Sequence, residues 1–556
     1  MKNNFFIILF LFIISLGLVF DLFINIGQPV TFDGPTHITN IAMFYKSLKE
    51  GIFPVSWTDG FANYGMPLGL MAQQTTSYLG AFLNFLFKDP LFSYNLVLLI
   101  GAFFSNLTFY LFLREYFSIP LALAATFIFN LAPYRIINIY IRGALPEFFA
   151  SIFLPLILLA VKRFIERGQF FYFFLISFSY GLLILTHPFM IIIYSFPIII
   201  FTFFNLLLDK ENFKANLIYL FFAFLLGIFL SFYFIFPLSA ELKYFYYGQA
   251  KNHFNQGHFL SWENFFNPFW FYFYKGDIGP RGHFMKTGVV EMFFIIIFWF
   301  LFILKNKFNK EKMPLAKLVF HSSFIYIFLL VPASNFLYQT FAFLGNIQHP
   351  WRMLSGFIFL PPIALCFLVE ELFFKKKTLK SYYRLPIYFL LIFVAFFRIP
   401  QLYGKNYKLI PQKEYFFTKE NLHGVILNTI WTGKSEDYPV KKIKGEIVEG
   451  KGKLEVVRIR NNFREYFLLA QTPVRLVDYT FYFPGWQVYV NGQKVPIEFQ
   501  DPNYRGVITY KVSSGKHKIL VKFEETKVRI LGKFVSLFSI ICLIFLYVKR
   551  KKFFVV

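Results

Sequence analysis

Acid, imidazole and guanidinium side chains recur in this sequence at the edges of long apolar runs. The first cluster reads Thr31-Phe32-Asp33-Gly34-Pro35-Thr36-His37. Pro35 suits the first turn of a helix and Gly51 its end. An ionised Asp33 there would sit beside the positive end of the helix dipole. It could take a proton from a hydroxyl or, with His37, ligate a divalent metal; the competing reading is an Asp that only caps the helix. The second cluster is Arg142-Gly143-Ala144-Leu145-Pro146-Glu147. A guanidinium offers the two parallel donors that phosphate accepts, but Arg142 and Glu147 could equally pair with each other and order the loop. The third, Gln348-His349-Pro350-Trp351-Arg352, suits anion binding by Arg352 and His349 or simple interfacial anchoring by Trp and Arg. His187-Pro188 stands apart as a lone His beside a Pro, an arrangement that is commonly structural.

The elements that must position these groups are membrane spans. Apolar residues make up 57% of the 556-residue chain and charged residues 15%, against roughly 25% charged in soluble domains. Crossing the hydrocarbon core takes about 20 residues. Runs of this kind lie near 5–26, 91–113, 117–134, 148–164, 169–187, 189–208, 216–237, 287–304, 315–333, 353–373, 385–399 and 528–548, about twelve spans, and 69–87 could insert in part. No small-x-small cleavage site follows the first run, so it reads as an uncleaved span.

Basic residues set the orientation. Lys162-Arg163-Arg167, five lysines in 305–317 and Lys549-Arg550-Lys551-Lys552 fall on one side, in short segments. By the positive-inside rule that side is cytoplasmic, with both termini. The net charge of +26 therefore reads as topology rather than nucleic-acid binding. Cys366 and Cys542 both lie in apolar runs, which argues against a disulfide or a thiolate metal site.

Residues 1–399 thus form a transmembrane domain with a long first outer loop, 27–90, and further outer segments at 135–147, 238–286 and 334–352. Within the first loop Ile38, Ile41, Ala42, Tyr45 and Leu48 share one helical face, a pattern able to lie in the membrane interface. Residues 400–525 alternate instead. Leu454 to Ile459 and Lys516 to Phe523 read as strands, and Val488 to Val495 as a hairpin turning at Asn491-Gly492. The expectation is an extracytoplasmic β-sandwich packed over the groove, followed by a final span and basic tail in 526–556. Its aromatics, Tyr479, Phe481, Tyr482, Phe483 and Trp486, suit a core or membrane contact, with stacking on sugar rings as the alternative.

Three absences narrow the chemistry. There is no Asp-x-Asp metal clamp, no Gly-x4-Gly-Lys-Ser/Thr phosphate loop, and no row of ionisable residues inside a span. The Asp33-x3-His37 pair, Trp57, Asn63-Tyr64-Gly65-Met66-Pro67-Leu68, Arg142 to Glu147, Thr186-His187 and Gln348 to Arg352 occur in an order that resembles the GT-C glycosyltransferase superfamily. The likeness is nearest to YfhO-like membrane proteins, some of which are labelled 6-pyruvoyl-tetrahydropterin synthase-related. Phe483-Pro484-Gly485-Trp486, Tyr504-Arg505-Gly506-Val507 and Gly515-Lys516-His517 resemble the end of the same proteins.

The resemblance implies a transferase that takes a sugar from a polyprenyl-phosphate donor at the outer face. Asp33 would be the catalytic carboxylate, supported by His37. Arg142, Arg352 and His349 would hold the phosphate, and Glu147 would order Arg142 or act as a second acid. A divalent metal on Asp33 and His37 stays open. Membrane lipids are expected partners, nucleic acid is not, and the acceptor is undefined. The chain departs from relatives in lacking an acidic pair and a Trp-Trp-Asp motif. Met71 to Thr76 also replaces a Tyr-Pro-Pro-rich stretch. A non-catalytic binding or assembly protein for lipid-linked glycans, and a lipid or glycan transporter, are the alternatives. Convergence of Asp33, Arg142 and Arg352 on one cavity would favour the enzyme.

Overall fold

A computed structural model describes residues 2–60, 63–250, 253–254, 256–266, 285–305, 308–371, 384–416, 428–433 and 438–554. Seven of its helices are long and apolar enough to cross a membrane. They are Pro90–Arg114, Leu145–Arg167, Pro188–Leu206, Phe213–Leu230, Lys310–Leu330, Pro350–Val369 and Lys527–Val548. An eighth is formed if Ile119–Asn130 and Pro133–Tyr140, bent by 42°, count as one. Shorter apolar helices lie at Asn4–Val19, Phe170–Thr186, Val289–Leu304 and Tyr388–Gln401. The expected run 5–26 is helical over Lys2–Val19 and Asp21–Ile24, and Asp21 stands near its end. It accepts from the Gly404 amide and the Tyr407 hydroxyl, each at 2.6 Å, and so ties the head of the first helix to the chain entering the β domain.

Two other segments are packed more deeply than the sequence alone indicates. The outer segment 135–147 is helical through Tyr140 and wholly buried, because Pro133 starts a short helix whose Ile136, Ile137 and Ile139 pack into the bundle core. The helix Gly34–Lys49 does begin with Pro at its first turn. It does not lie open on an interface, however. Ile38, Asn40, Ile41, Ala42, Met43, Phe44 and Ser47 are all buried, so protein covers both its faces. Its neighbours are the helices Gln74–Phe87 and Pro90–Arg114 and the turn carrying Tyr415.

The C-terminal strands form two antiparallel sheets. One has the order β1 (Gly445–Glu449), β4 (Val474–Phe481), β7 (Val507–Val512). The other runs β2 (Gly452–Arg460), β3 (Phe463–Ala470), β8 (Gly515–Phe523), β5 (Trp486–Val490), β6 (Gln493–Val495). Leu476, Ile508 and Tyr510 of the first sheet share a core with Leu468, Val488, Ile519 and Val521 of the second. The expected hairpin is present: Val490 pairs with Gln493, and Asn491 and Gly492 take φ of 50° and 85°, as a primed turn requires. The alternation read in β2 does not bury one face, since Val456, Val457 and Ile459 are exposed on a bulged strand at the end of the sheet order.

This β domain is docked on the first loop. Trp57 meets Trp486 edge to face at 5.2 Å, and Tyr64 stacks on Phe481 at 4.8 Å. The Phe481 amide donates to the Tyr64 carbonyl at 3.0 Å. Asn461 donates to Glu50 and to Ser47 at 2.7 and 2.8 Å. Phe483 and Trp486 are buried, so they are core and docking residues rather than an open sugar platform.

Candidate functional site

The backbone brings the first two clusters together. The Asp33 amide donates to the Arg142 carbonyl at 2.7 Å, and the Phe32 amide donates to the Ile141 carbonyl at 3.1 Å. Gly143 makes this crossing feasible. Its φ is +65°, and a β-carbon there would lie 2.5 Å from Thr31 Oγ1 and 2.6 Å from the Gly34 amide nitrogen. Glycine alone meets both demands without strain.

Asp33 occupies the N-cap position of its helix, but its side chain makes no capping hydrogen bond. The carboxylate instead lines a cavity of about 190 Å³. His37, Arg142, Glu147 and Arg352 line the same cavity. Five of the six predicted site residues therefore converge, from segments more than 300 positions apart in sequence. The sixth, His349, does not line the cavity. It stacks on Trp351 with centroids 4.9 Å apart and packs against His258 at 4.3 Å, forming an aromatic layer beside the arginines. Pro350 starts a tight helical turn there, which sends Arg352 toward the cavity and leaves His349 against the ring.

Glu147 is the hub. Its Oε2 lies 2.8 Å from Arg142 and 4.0 Å from Arg352 Nε. Its Oε1 accepts from the Tyr134 hydroxyl at 2.5 Å and the Ser355 hydroxyl at 2.6 Å. Arg142 also donates to Asn138 at 2.7 Å and lies over the Trp351 ring at 4.5 Å. The Arg142–Glu147 pair read from the sequence is thus formed and fully held. Arg352 differs: it donates to the Ile347 carbonyl at 3.3 Å, and among the described residues its nearest carboxylate oxygen, on Glu147, is 4.0 Å away. Its Nε is buried without an acceptor.

The cavity has a polar wall that the sequence reading did not collect. Thr36 Oγ1, Asn40 Oδ1 and His187 Nδ1 are buried without hydrogen-bond partners. All three residues line the cavity, as does Gln73. The helical spacing of Asp33, Thr36, His37 and Asn40 puts them on one face, a signal the sequence did carry. His187 had only its Pro neighbour, and Gln73 sat in the stretch that departs from relatives. Among the described residues no three His, Cys, Asp or Glu side chains form a group able to hold a metal ion.

A bundle of apolar helices, a docked C-terminal β domain and a buried acid–arginine cavity between its loops define a membrane protein with a polar, charged pocket. The chain belongs to the family described as 6-pyruvoyl-tetrahydropterin synthase related domain, a membrane protein family whose model matches residues 76–396. No curated protein matches the chain.

Proposed function

We propose that this protein is a GT-C-type membrane glycosyltransferase, moving a sugar from a polyprenyl-phosphate donor to a cell-envelope acceptor on the outer face. The observation that carries the reading is the convergence of Asp33, His37, Arg142, Glu147 and Arg352 on one cavity. In this reading Arg352, the cation with an unsatisfied Nε, takes the donor phosphate. Arg142, locked by Glu147 and Asn138, fixes the geometry from behind. Asp33 removes the acceptor proton as the sugar–phosphate bond breaks, and His37 supports it. The open acceptors on Thr36, Asn40 and His187 suit sugar hydroxyls, which would fill them. If a divalent metal participates, Asp33 and His37 are the residues that would hold it, and it would offset charge on the leaving phosphate.

The topology proposed with it has the four shorter apolar helices crossing as well, about twelve spans in all. Both termini would be cytoplasmic, and the 27–90 loop and β domain extracytoplasmic. Protease added to intact spheroplasts should then cut the β domain; cutting only from the cytoplasmic side would place the cavity on the wrong face.

Asp33→Asn tests the chemistry. Transfer from a radiolabelled lipid-phosphate sugar should fall by at least about a hundredfold, while the protein still extracts as a folded monodisperse species. Undiminished transfer would remove Asp33 from the mechanism. A second reading, a non-catalytic binding protein for lipid-linked glycans, is favoured by the closed Arg142–Glu147 pair, which leaves one free cation rather than two among the described cavity residues. It predicts that Asp33→Asn binds donor lipid and that neither protein transfers.

A further inference from the structure

Away from the acid–arginine cavity, the helices Phe170–Thr186 and Lys527–Val548 leave a slot of about 570 Å³ between them. That volume falls within the range of roughly 300–1,000 Å³ that small-molecule pockets occupy. Phe170, Phe174, Leu543 and Ile544 line it, and Gln169, Tyr547 and Arg550 bring polar groups to it. The apolar length suits a hydrocarbon chain, and the polar groups suit an anionic head.

Arg550 is not on a free tail. Its guanidinium lies 4.3 Å from the Tyr547 ring centroid and donates to the Tyr547 carbonyl at 3.0 Å. The residues after it are pinned as well. Phe554 is buried among Phe170, Phe173 and Tyr219 at 5.2 to 5.4 Å, and the Tyr219 hydroxyl donates to the Phe553 carbonyl at 3.0 Å. The cation therefore stands fixed at the wall of an apolar slot. Lys549, Lys551 and Arg167 add positive charge at the same helix ends. Juxtamembrane basic clusters attract anionic headgroups.

We propose that this slot binds one anionic glycerophospholipid, with an acyl chain along Phe174 and Ile544 and its phosphate on Arg550. The charge complementarity selects an anionic over a zwitterionic lipid, because a choline head would set its own cation against Arg550.

Native mass spectrometry of the full chain, purified in mild detergent and offered phosphatidylglycerol or phosphatidylcholine, tests this. One phosphatidylglycerol should be retained in preference to phosphatidylcholine. Arg550→Ala should lower retention by about fivefold, the factor matching the roughly 1 kcal/mol that one basic residue gains near an anionic surface. Arg550→Lys should keep most of it, which separates lost charge from a misfolded tail. Ile544→Trp, which fills the slot, should abolish retention while leaving the thermal midpoint without lipid unchanged. Equal retention of both lipids, indifference to Arg550→Ala and Ile544→Trp, or an isoprenyl phosphate as the retained species would each overturn the proposal.

Discussion

Glu147 shows why a residue can be legible as chemistry and illegible as geometry. The sequence placed it beside Arg142 across a Gly and a Pro, and that pairing is real at 2.8 Å. Its bond to Tyr134 spans 13 positions and its bond to Ser355 spans 208, so both depend on how helices pack and leave no local trace. Asp33 was legible because Pro35 marks a helix start; that its carboxylate would turn from capping to the cavity was not. The hub makes a prediction. Glu147→Gln removes the carboxylate that Arg142 and Arg352 share, leaving buried guanidiniums unpaired. Losing one partner of a buried pair costs about 3–5 kcal/mol, so the thermal midpoint should drop sharply. If the arginines form an anion site, a soluble isoprenyl phosphate should restore part of that loss, and more in Glu147→Gln than in the parent. No difference between the two proteins would make the arginines purely structural.

At the scale of elements, period and punctuation carried most of the reading. Apolar length located the seven helices long enough to cross a membrane, and Asn491-Gly492 located the hairpin between β5 and β6. What failed were surfaces whose exposure is decided by other elements. Gly34–Lys49 has the stripe of an interfacial helix, but its polar Asn40 and Ser47 are buried as well, Ser47 against Asn461 of the β domain. Asn40, off the apolar stripe, lines the cavity. Gly143 is the element-scale hinge of the site, since the crossing of residues 31–34 over 141–144 needs its missing side chain. Gly143→Ala would add about 1–2 kcal/mol of left-handed backbone strain and press a methyl on the Gly34 amide, which cannot swing aside. Both stability and transfer should fall, transfer by the larger factor because Asp33 moves with Gly34. A thermal midpoint within a degree of the parent would contradict the crossing.

For the whole molecule, the sequence announced two parts and their order, and its short, Pro-containing 400–415 segment argued against a dangling domain. It could not show that the β domain would rest on charge. Lys444 is the clearest case: it is buried where the β domain meets the first loop, and its ammonium donates to the Asn63 carbonyl. Around it stand Asp59 and Asp478 on one side of the balance, and Arg464 and Lys46 on the other. Burial dominates, with Arg464 next, and brings the Lys444 pKa down to about 7 from 10.5. The sign follows from proton counting. Between the folded value near 7 and the unfolded 10.5, the unfolded chain holds a proton on this amine that the folded chain has lost. Stability must therefore rise with pH across that window, and below the folded value the full penalty of a buried ammonium is present. Two carboxylates of this region, Asp59 and Glu50, act in the acid range. Asp59 is depressed, as the charges of Lys46 and Lys444 outweigh its burial, and its contribution is lost only as pH falls through its folded value, below 3.8. Glu50 is raised by burial from 4.5, which makes its contribution fall with rising pH in the acid range. Thermal unfolding followed by intrinsic fluorescence of Trp57 and Trp486, which touch across the docking interface, should thus give a midpoint that climbs from pH 7 toward pH 9. Lys444→Met, of similar length and without a titrating group, should flatten that slope. A parent midpoint that falls over the same window, or a Lys444→Met slope equal to the parent's, would mean that the lysine is solvated and that the β domain rests on the loop by its aromatic contacts and the Asn461 and Phe481 hydrogen bonds without it.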